Sequence, residues 1–299
     1  MNKKKVIISG LGALGLTYAN KLKDICELKI LADLERIERY KKNPPVFNNR
    51  ELLLDYIEPS DNFNADLIII STKSNGLSSV IENIKNFVHE KTLIVSLING
   101  ISSEDFISKS YGKEKVVKSY FIGHSAMCNI VDGKKYYFQD GVGKIVLEKN
   151  VILQKIFDEL NLDYEVSDNI IYSQWVKLGV NIVLNQLSAK YELLVGELRS
   201  RENFISEANN LLDEVVLIAK AVGLMNLDKY KKDVFDSINL IADDGKTSMY
   251  QDVIAKNRTE VDIFSGEIIR LGNKHNIPTP YNKKIYEIIK KKEENFLWT

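Results

Sequence analysis

Cysteine and histidine are scarce in this chain. Only two cysteines and three histidines occur among its 299 residues, and Cys26 and Cys128 have no metal-ligand spacing. Two cysteines form no disulfide framework, so we expect both to be reduced, as is typical of cytoplasmic proteins. With so few histidines, a histidine-based metal site is not expected.

Long apolar runs and an excess of charge of one sign are also missing. No apolar stretch approaches the roughly 20 residues that a membrane-spanning helix needs, so we expect no membrane association. The 41 basic residues balance the 41 acidic residues, which gives no bulk attraction to nucleic acid or to an anionic membrane. The basic start, Lys3-Lys4-Lys5, is expected to be a solubilising flank. The length and the apolar content of 44% suffice for two globular domains with sizeable cores.

A glycine-rich loop follows the first predicted strand. The apolar run Val6–Ser9 is typical of a buried parallel strand, and a helical pattern begins after the loop. The loop reads Gly10, Leu11, Gly12, Ala13, Leu14, Gly15. In this setting the first glycine permits a tight turn, the second lets the backbone approach a pyrophosphate, and the third lets helix pack on strand. Because the helix N-terminus supplies free N–H groups, the loop predicts a dinucleotide site.

The end of the second predicted strand carries signals for both nicotinamide dinucleotides. Asp33 follows this strand about twenty residues beyond the glycine loop, where a carboxylate would bond the ribose hydroxyls of NAD(H). Arg36 and Arg39 come soon after, and a guanidinium suits the 2′-phosphate of NADP(H). Asp33 is equally suited to cap the helix that begins after it. These residues leave the choice of NADP(H) or NAD(H) open.

Two further predicted strands end in polar residues. The run 65–71 leads to Lys73, and the run 92–97 leads to Asn99. Strands that alternate with helices predict a doubly wound parallel sheet, whose ligands bind beyond the carboxyl ends of the strands. We therefore expect the glycine loop, Lys73 and Asn99 at one edge, although a solvated loop lysine explains Lys73 more simply when it is taken alone.

The pattern changes twice along the rest of the chain. Short strands between residues 116 and 148, with turns at Asp132-Gly133 and Asp140-Gly141, predict hairpins that extend the sheet. After a last strand at 161–166 the periodicity is helical throughout, with helices expected at 168–194, 202–222, 227–242 and 281–296. The predicted fold is α/β, with a Rossmann-type nucleotide-binding domain at residues 1–166 and an all-helical domain at residues 167–299.

A narrow polar stripe lies on the first helix of the second domain. Lys177, Asn181 and Asn185 are spaced four apart among apolar residues, so a helix places them on one face. Buried polar groups need partners, because leaving one unpaired costs roughly 1–3 kcal/mol. The stripe therefore predicts either hydrogen bonds to a neighbouring loop or contact with a ligand.

The last third of the chain carries two predicted capping boxes. One begins at Ser248, and the other begins at Thr259 and opens a helix expected to end near Gly272. The terminal helix is basic and amphipathic. Its lysines are expected to face solvent, and a homodimer contact is the alternative.

Together these blocks resemble the ketopantoate reductase (2-dehydropantoate 2-reductase) family over nearly the whole chain. The resemblance rests on the glycine loop, Thr72-Lys73, Asn99-Gly100, Trp175-Val176-Lys177-Leu178 with Asn181 and Asn185, Gly196-Glu197-Leu198, Ser248-Met249 to Gln251-Asp252, and Arg258-Thr259-Glu260-Val261-Asp262 followed by Gly266. It implies a Rossmann-type domain joined to an all-helical domain, with NADPH and a 2-keto acid in the cleft between them.

The resemblance also implies a role for each candidate residue. Lys177 is the general acid that protonates the carbonyl oxygen, and Glu260 interacts with the site and helps orient its partners. The remaining roles are substrate binding by Asn181, Asn185 and Ser248, contact with both nicotinamide and substrate by Asn99, and cofactor binding by residues 10–15, Arg36, Lys73, Ala126 and Glu260. The residue types suit the reaction, because hydride addition to a ketone builds negative charge on oxygen that an ammonium can stabilise and then protonate.

Three positions depart from the pattern that this resemblance implies. Val195 stands where an amide commonly precedes Gly-Glu-Leu, and Gly245 stands where an amide often lies three residues before the substrate serine. Both indicate an altered substrate pocket. Asp33 aligns with an arginine that reads the 2′-phosphate in the family, which makes Arg36 its replacement.

The resemblance therefore implies a cytoplasmic, NADPH-dependent 2-dehydropantoate 2-reductase that forms (R)-pantoate for pantothenate and coenzyme A biosynthesis. One alternative is a paralogous reductase of another 2-keto acid that uses NADH or NADPH. An alternative of another class is a non-catalytic NAD(P)(H)-sensing regulator.

Overall fold

The chain forms two compact units, Met1–Ile170 and Ile171–Thr299. The structure, a computed structural model, describes residues 3–123, 127–131, 134–139 and 143–296. Ala126 and the two predicted turns, Asp132-Gly133 and Asp140-Gly141, lie outside these residues. Among the residues described, no helix is both long and apolar enough to cross a membrane.

The first unit contains all the strands and five helices of the described chain. The strands are β1 (Lys5–Ser9), β2 (Glu27–Leu31), β3 (Val46–Phe47), β4 (Arg50–Glu51), β5 (Tyr56–Ile57), β6 (Leu67–Ile70), β7 (Leu93–Ser96), β8 (Val116–Val117), β9 (Ser119–Gly123), β10 (Met127–Val131), β11 (Lys134–Phe138), β12 (Gly143–Glu148) and β13 (Tyr164–Ser167). The helices are α1 (Ala13–Leu22), α2 (Leu34–Lys42), α3 (Leu77–Asn83), α4 (Ser103–Tyr111) and α5 (Val151–Glu159).

A six-stranded parallel sheet forms the centre of this unit. Its strand order is β5-β2-β1-β6-β7-β8, and every neighbouring pair is parallel. β6 and β7 are buried at every residue, which is why they read as continuous apolar runs rather than as alternating patterns. Tyr18 and Leu22 of α1 and Phe157 of α5 pack into the core with β1. The predicted doubly wound parallel sheet is confirmed.

The prediction that the strands of 116–148 extend this sheet is wrong for all of them but β8. β9, β12 and β13 form a separate three-stranded sheet, and the hairpin β10–β11 joins β3 and β4 in a four-stranded one. The chain leaves the parallel sheet after β8, where backbone N–H groups donate to side-chain carboxylates instead of to a neighbouring strand. The Lys118 N–H donates to Glu148 Oε1 over 2.8 Å, and the Ser119 N–H donates to Glu104 Oε1 over 3.3 Å.

The second unit is all-helical. Its helices are α6 (Ile170–Val180), α7 (Gln186–Tyr191), α8 (Val195–Arg199), α9 (Phe204–Ala221), α10 (Tyr230–Asn239), α11 (Ser248–Ile254), α12 (Ser265–His275) and α13 (Pro280–Glu294). The C-terminal helical domain of the predicted fold class is thus confirmed. The helix expected at 168–194 is interrupted, because Asn181–Asn185 forms a π-helical segment between α6 and α7.

Helix α12 ends a little beyond Gly272, the residue near which its end was expected. The helix continues past Gly272 to His275, and Asn276 ends it in the left-handed conformation. Gly272 instead allows a close approach, since a Cβ there would lie 2.7 Å from the Ile277 carbonyl oxygen. The Ile277 N–H donates to the Gly272 carbonyl over 2.8 Å as the chain turns back over the helix.

Candidate active site

The glycine loop of the first unit has the geometry that its spacing predicted. Gly10 has φ +103°, and a Cβ there would lie 2.8 Å from the backbone nitrogen of Thr72. A Cβ at Gly15 would lie 1.9 Å from the Gly10 carbonyl oxygen, so these two glycines are required by packing. The Ser71 hydroxyl fixes the turn by donating to the same oxygen over 2.9 Å.

Gly12 is different, because it faces open space. A Cβ at Gly12 would meet no atom within 4 Å, and this residue is the N-cap of α1. It has no side chain to cap the helix, and the first turn of α1 contains no acidic residue. The N–H groups of the first turn of α1 and the positive end of the helix dipole therefore face a space that no side chain fills. The loop fits the pyrophosphate of a dinucleotide.

Asp33 and Arg36 form a pair at the carboxyl end of β2. Asp33 is the N-cap of α2 and accepts from the Arg36 N–H over 2.8 Å, which confirms the predicted cap. Its other oxygen lies 3.5 Å from Arg36 Nε, and the two side chains are 53% and 60% exposed. Asp33 thus caps its own helix and pairs with Arg36, and both side chains remain exposed to solvent at the place where a nucleotide ribose would bind.

Lys73 and Asn99 leave the sheet at the same edge as the glycine loop. The register places Ser9 of β1 beside Ile70 of β6, and Ile70 beside Ser96 of β7. The segments that follow these three residues therefore emerge side by side. Lys73 is exposed just before a 3₁₀ turn, Ser74–Gly76, and Asn99 is half-buried.

A buried carboxylate supports the segment that carries Asn99. The Ile98 N–H donates to Ser96 Oγ over 3.4 Å, Ser96 donates to Ser103 Oγ over 2.9 Å, and Ser103 donates to Glu104 Oε2 over 2.9 Å. Glu104 is only 3% exposed, and this burial raises the pKa of its carboxyl group. Sequence reasoning missed Glu104; its position in the first turn of α4, five residues after Asn99, was the available signal.

In the second unit, three of the predicted substrate residues form one hydrogen-bonded chain. The Ser248 hydroxyl and the Met249 N–H both donate to Asn185 Oδ1, over 3.0 and 3.1 Å. Asn185 Nδ2 in turn donates to Asn181 Oδ1 over 2.9 Å. Both asparagines are buried, with 8% and 9% exposure, and both belong to the π-helical segment. π-Helical turns inside α-helices occur frequently at functional sites.

The chain of amides ends on a donor. Within the residues that the structure describes, the buried Asn181 Nδ2 has no hydrogen-bond partner. Most polar groups of the two asparagines are thus hydrogen-bonded inside the protein, as one of the two interpretations of the sequence expected. The Asn181 Nδ2 group remains available as a hydrogen-bond donor. Lys177 lies one turn earlier, in α6, and is half-buried. A ligand with an acceptor oxygen fits such a donor.

The cap of α11 is Thr247 rather than Ser248, which had been predicted to begin a capping box. Thr247 accepts from the Tyr250 N–H over 3.3 Å, and Gln251 donates to the Lys246 carbonyl instead of returning to Ser248. Ser248 is the first helical residue, and its hydroxyl is therefore free to reach Asn185.

The Gly196-Glu197-Leu198 block is structural. A Cβ at Gly196 would lie 2.7 Å from Asp243 Cβ, Glu197 accepts from the Leu194 N–H over 2.8 Å, and Leu198 is fully buried. The Gly196 N–H donates to the Asp243 carbonyl over 2.8 Å. The block thereby fixes the loop that leads into Ser248.

Val195 and Gly245, the two substrate-side departures from the family pattern, touch each other. The Val195 N–H donates to the Gly245 carbonyl over 3.0 Å, and Val195 is 1% exposed. A Cβ at Gly245 would lie 3.4 Å from Val195 Cγ2 but only 2.8 Å from the Ala242 carbonyl oxygen. The two positions are thus joined by a backbone hydrogen bond, and a side chain at position 245 would require the backbone to shift.

Glu260 lies in a short segment fixed at both ends. The segment joins α11 to α12 through a 3₁₀ turn, Val261–Ile263, and Glu260 itself is half-buried. The predicted capping box at Thr259 is not formed, because Thr259 Oγ1 accepts from the Val261 N–H over 3.4 Å and donates to Glu293 of α13.

Family models match both parts of the chain. Residues 6–148 match the model described as "Ketopantoate reductase PanE/ApbA", and residues 169–293 match "Ketopantoate reductase PanE/ApbA C terminal". The chain belongs to the ketopantoate reductase family. This membership confirms the resemblance read from the motifs. It makes the chain a member of a pyridine-nucleotide-dependent oxidoreductase family that acts on CH–OH groups.

Relatives within and beside this family are similar over most of their length. The 2-dehydropantoate 2-reductase of Lactococcus lactis is 30% identical in an alignment of 251 positions that covers 79% of this chain and 78% of the relative. The enzyme of the same name from Streptococcus pyogenes serotype M1 is 26% identical in an alignment of 304 positions, gaps included, that covers 96% of this chain and 97% of the relative. A solved structure of D-mandelate dehydrogenase with NADH and anilino(oxo)acetate is 26% identical, has a TM-score of 0.84, and covers 98% and 99% of the two chains.

Proposed function

We propose that this chain is a 2-dehydropantoate 2-reductase that uses NADPH to reduce ketopantoate to (R)-pantoate in pantothenate and coenzyme A biosynthesis. The observation that carries the proposal is the Ser248–Asn185–Asn181 chain, which ends on an unpartnered buried N–H of Asn181 one turn from Lys177. An acidic substrate with carbonyl and carboxylate oxygens suits that donor and that ammonium.

The side chains divide the work of reducing a carbonyl group. When bound, NADPH supplies the hydride that adds to the carbonyl carbon. The Lys177 ammonium stabilises the charge that builds on the carbonyl oxygen and transfers a proton to it, which completes the 2-hydroxy acid. Glu260 favours the protonated lysine and orients its partners, while Asn181, Asn185 and Ser248 bind substrate oxygens without adding a competing charge.

The cofactor side of the proposal assigns the 2′-phosphate to Arg36. Its guanidinium is 60% exposed in the first turn of α2, the helix that follows β2. An exposed guanidinium at this position supports NADPH, because it can pair with a 2′-phosphate. NADH remains the alternative, because D-mandelate dehydrogenase, a structural relative, was solved with NADH. In the first unit we assign the nucleotide to residues 10–15, Lys73, Asn99 and Ala126.

A different 2-keto acid is the second candidate, and one observation favours it. Neither Val195 nor Gly245 has a polar side chain where amides are common in the family, so these positions offer no side-chain hydrogen bond to a hydroxylated substrate. D-mandelate dehydrogenase, whose structure is similar to this chain, was solved with anilino(oxo)acetate, which carries an aromatic ring. A 2-keto acid with an apolar side chain would need no hydrogen bond from positions 195 and 245, in contrast to ketopantoate.

A steady-state assay separates these proposals. We would measure oxidation of NADPH and of NADH with ketopantoate and with a panel of branched and aromatic 2-keto acids. The proposal expects the highest kcat/KM with NADPH and ketopantoate. Turnover of another keto acid but not of ketopantoate would replace the substrate and keep the reaction type. Tight NADPH binding without any turnover would contradict the reductase and favour a sensing regulator.

The free thiols support a cytoplasmic location as part of this proposal. Cys26 is buried and Cys128 is exposed, and neither is in a disulfide. An exposed free thiol is typical of a reducing compartment.

A further inference from the structure

The terminal helix α13 carries a buried carboxylate that faces the segment of Glu260. Glu293 is 4% exposed and lies near the C-terminal end of α13. Its Oε1 accepts from the Thr259 N–H over 2.7 Å and from the Thr259 hydroxyl over 2.5 Å. Thr259 is itself 5% exposed and immediately precedes Glu260. One carboxylate oxygen thus holds both donors of the residue beside Glu260.

The other oxygen of Glu293 is held from the opposite side. Lys290, one turn earlier on α13, lies 2.8 Å from Glu293 Oε2, and the Glu293 side chain in this pair is only 5% exposed. A buried ion pair costs desolvation free energy, which good geometry and further hydrogen bonds must offset. Here the Thr259 bonds supply that compensation. The arrangement is therefore more specific than a surface ion pair on a solvated helix face.

The far end of the Glu260 segment is tied to the same helix. Ser265, the first residue of α12, donates its hydroxyl to Asn282 Oδ1 over 2.8 Å and its N–H to Gln186 Oε1 over 3.2 Å. Glu214 of α9 in turn accepts from the Tyr281 N–H over 2.7 Å and from the Asn282 N–H over 2.9 Å. Helix α13 is thus anchored at its N-terminus and holds both ends of residues 259–265.

We propose that Glu293 is a positioning residue for Glu260: it holds Thr259 so that the Glu260 carboxylate keeps the geometry that the reaction needs. The inference rests on the proposed function, since it takes Glu260 as part of the reducing site. It also gives the terminal helix a purpose that its sequence pattern did not reveal, because the buried face of the helix is the support for this segment.

A double-mutant cycle tests the proposal on kcat. Glu293→Ala should lower kcat about tenfold, and Glu293→Gln, which retains an acceptor oxygen for Thr259, should recover most of the loss. In a Glu260→Ala background, Glu293→Ala should change kcat less than about twofold, because residues that act as a unit are not additive. The matched control is Glu294→Ala, since Glu294 is the exposed neighbour on the same helix and should leave kcat unchanged.

Three outcomes would overturn the inference. These are near-native kcat for Glu293→Ala, a loss that Glu293→Gln does not recover, and an equal loss with and without Glu260. If Glu293→Ala does not fold, Thr259→Val removes one of the two donors to Glu293 with little change of shape, and it should show the same non-additivity with Glu260→Ala.

A measurement without turnover separates this inference from the proposed function. Hydrogen exchange of the peptide spanning residues 258–264 should accelerate in Glu293→Ala and stay unchanged in Glu294→Ala. If no 2-keto acid is reduced by the native protein, the proposed function fails while this result still decides whether Glu293 fixes the segment. Unchanged exchange in Glu293→Ala would contradict the inference even in an active enzyme.

Discussion

At the scale of the residue, Lys177 is where the reaction type is decided. It lies in the last turn of α6, directly before the π-helical segment that carries Asn181 and Asn185. The alternative of a sensing regulator gives this lysine no purpose. A reductase needs it as an acid, so its substitution separates the two.

Lys177→Ala should lower kcat by about a hundredfold or more, as expected when general acid catalysis is lost. Lys177→Arg should also be slow, because guanidinium keeps its charge but cannot release its proton near neutral pH. Steady-state kinetics with the best keto acid measures both, with Lys220→Ala, at an exposed position of α9, as control. Near-native kcat in Lys177→Ala would remove the assigned role.

Glu104 makes the stability of the first unit depend on pH. Burial raises the pKa of its carboxyl, while hydrogen bonds from Ser103 and Ser119 and the charge of Lys118 oppose the rise. Because the folded state holds this proton more tightly, the contribution of Glu104 is fully present below the unfolded pKa of about 4.3 and is lost as pH rises through the raised folded value.

Glu104→Gln should therefore reduce the dependence of the free energy of unfolding on pH above about pH 4.3. The free energy of unfolding, measured by urea titration at several pH values, should fall less steeply above about pH 4.3 in the variant than in the native protein. The difference between the two curves isolates Glu104 from other carboxylates. Asp105→Asn, at an exposed neighbour, should not reproduce the change, and parallel curves for Glu104→Gln would contradict the assignment.

At the scale of the element, the glycine loop shows how much local structure the spacing of glycines predicts. The strand, the loop and α1 were all expected from residues 6–22, because each glycine has a distinct physical task. Contacts confirm two of these tasks at Gly10 and Gly15, whereas a Cβ at Gly12 would meet no atom within 4 Å. That contrast separates a folding requirement from a binding requirement, which the motif itself does not.

Gly15→Ala should destabilise the first unit, because its Cβ would lie 1.9 Å from the Gly10 carbonyl oxygen, and overpacking typically costs about 1–3 kcal/mol. Gly12→Ala should leave the unfolding free energy nearly unchanged but weaken NADPH binding tenfold or more, since the new methyl group occupies the phosphate cradle. Thermal unfolding and fluorescence titration measure the two effects. Equal NADPH affinity in Gly12→Ala would mean that the nucleotide does not approach this backbone.

The elements that escaped prediction did so for local reasons. The helix through Lys177 was expected to be continuous, because apolar periodicity does not report the one widened turn at 181–185. Thr247 was overlooked as a cap because Ser248 offers the same chemistry one residue later. The support of residues 259–265 by Glu293 joins positions 34 residues apart, and no local pattern encodes such a contact.

At the scale of the whole molecule, motif order carried the prediction further than any one motif. The parallel sheet, the helical second part and the family were all expected, and all are confirmed. The small sheets were not, because short strands reveal neither their partners nor the carboxylates that divert them. The identity of the substrate and of the cofactor stays a prediction. It depends on a few positions, such as Val195, Gly245 and Arg36, and the contacts of these residues with a bound ligand decide which molecule is preferred.

The cofactor preference can be measured on the intact protein without turnover. A ligand that binds only the folded state stabilises it by about 2.7 kcal/mol when its concentration is a hundred times its Kd. If NADPH binds more tightly than NADH, it should therefore raise the thermal midpoint more at equal concentration. Arg36→Ala should abolish that difference by weakening NADPH alone, because only NADPH carries the 2′-phosphate. Lys41→Ala is the matched control, since Lys41 is an exposed cation in the last turn of the same helix α2. If NADH stabilises the native protein more than NADPH, the assignment of Arg36 is wrong, and Asp33 becomes the residue that reads the ribose.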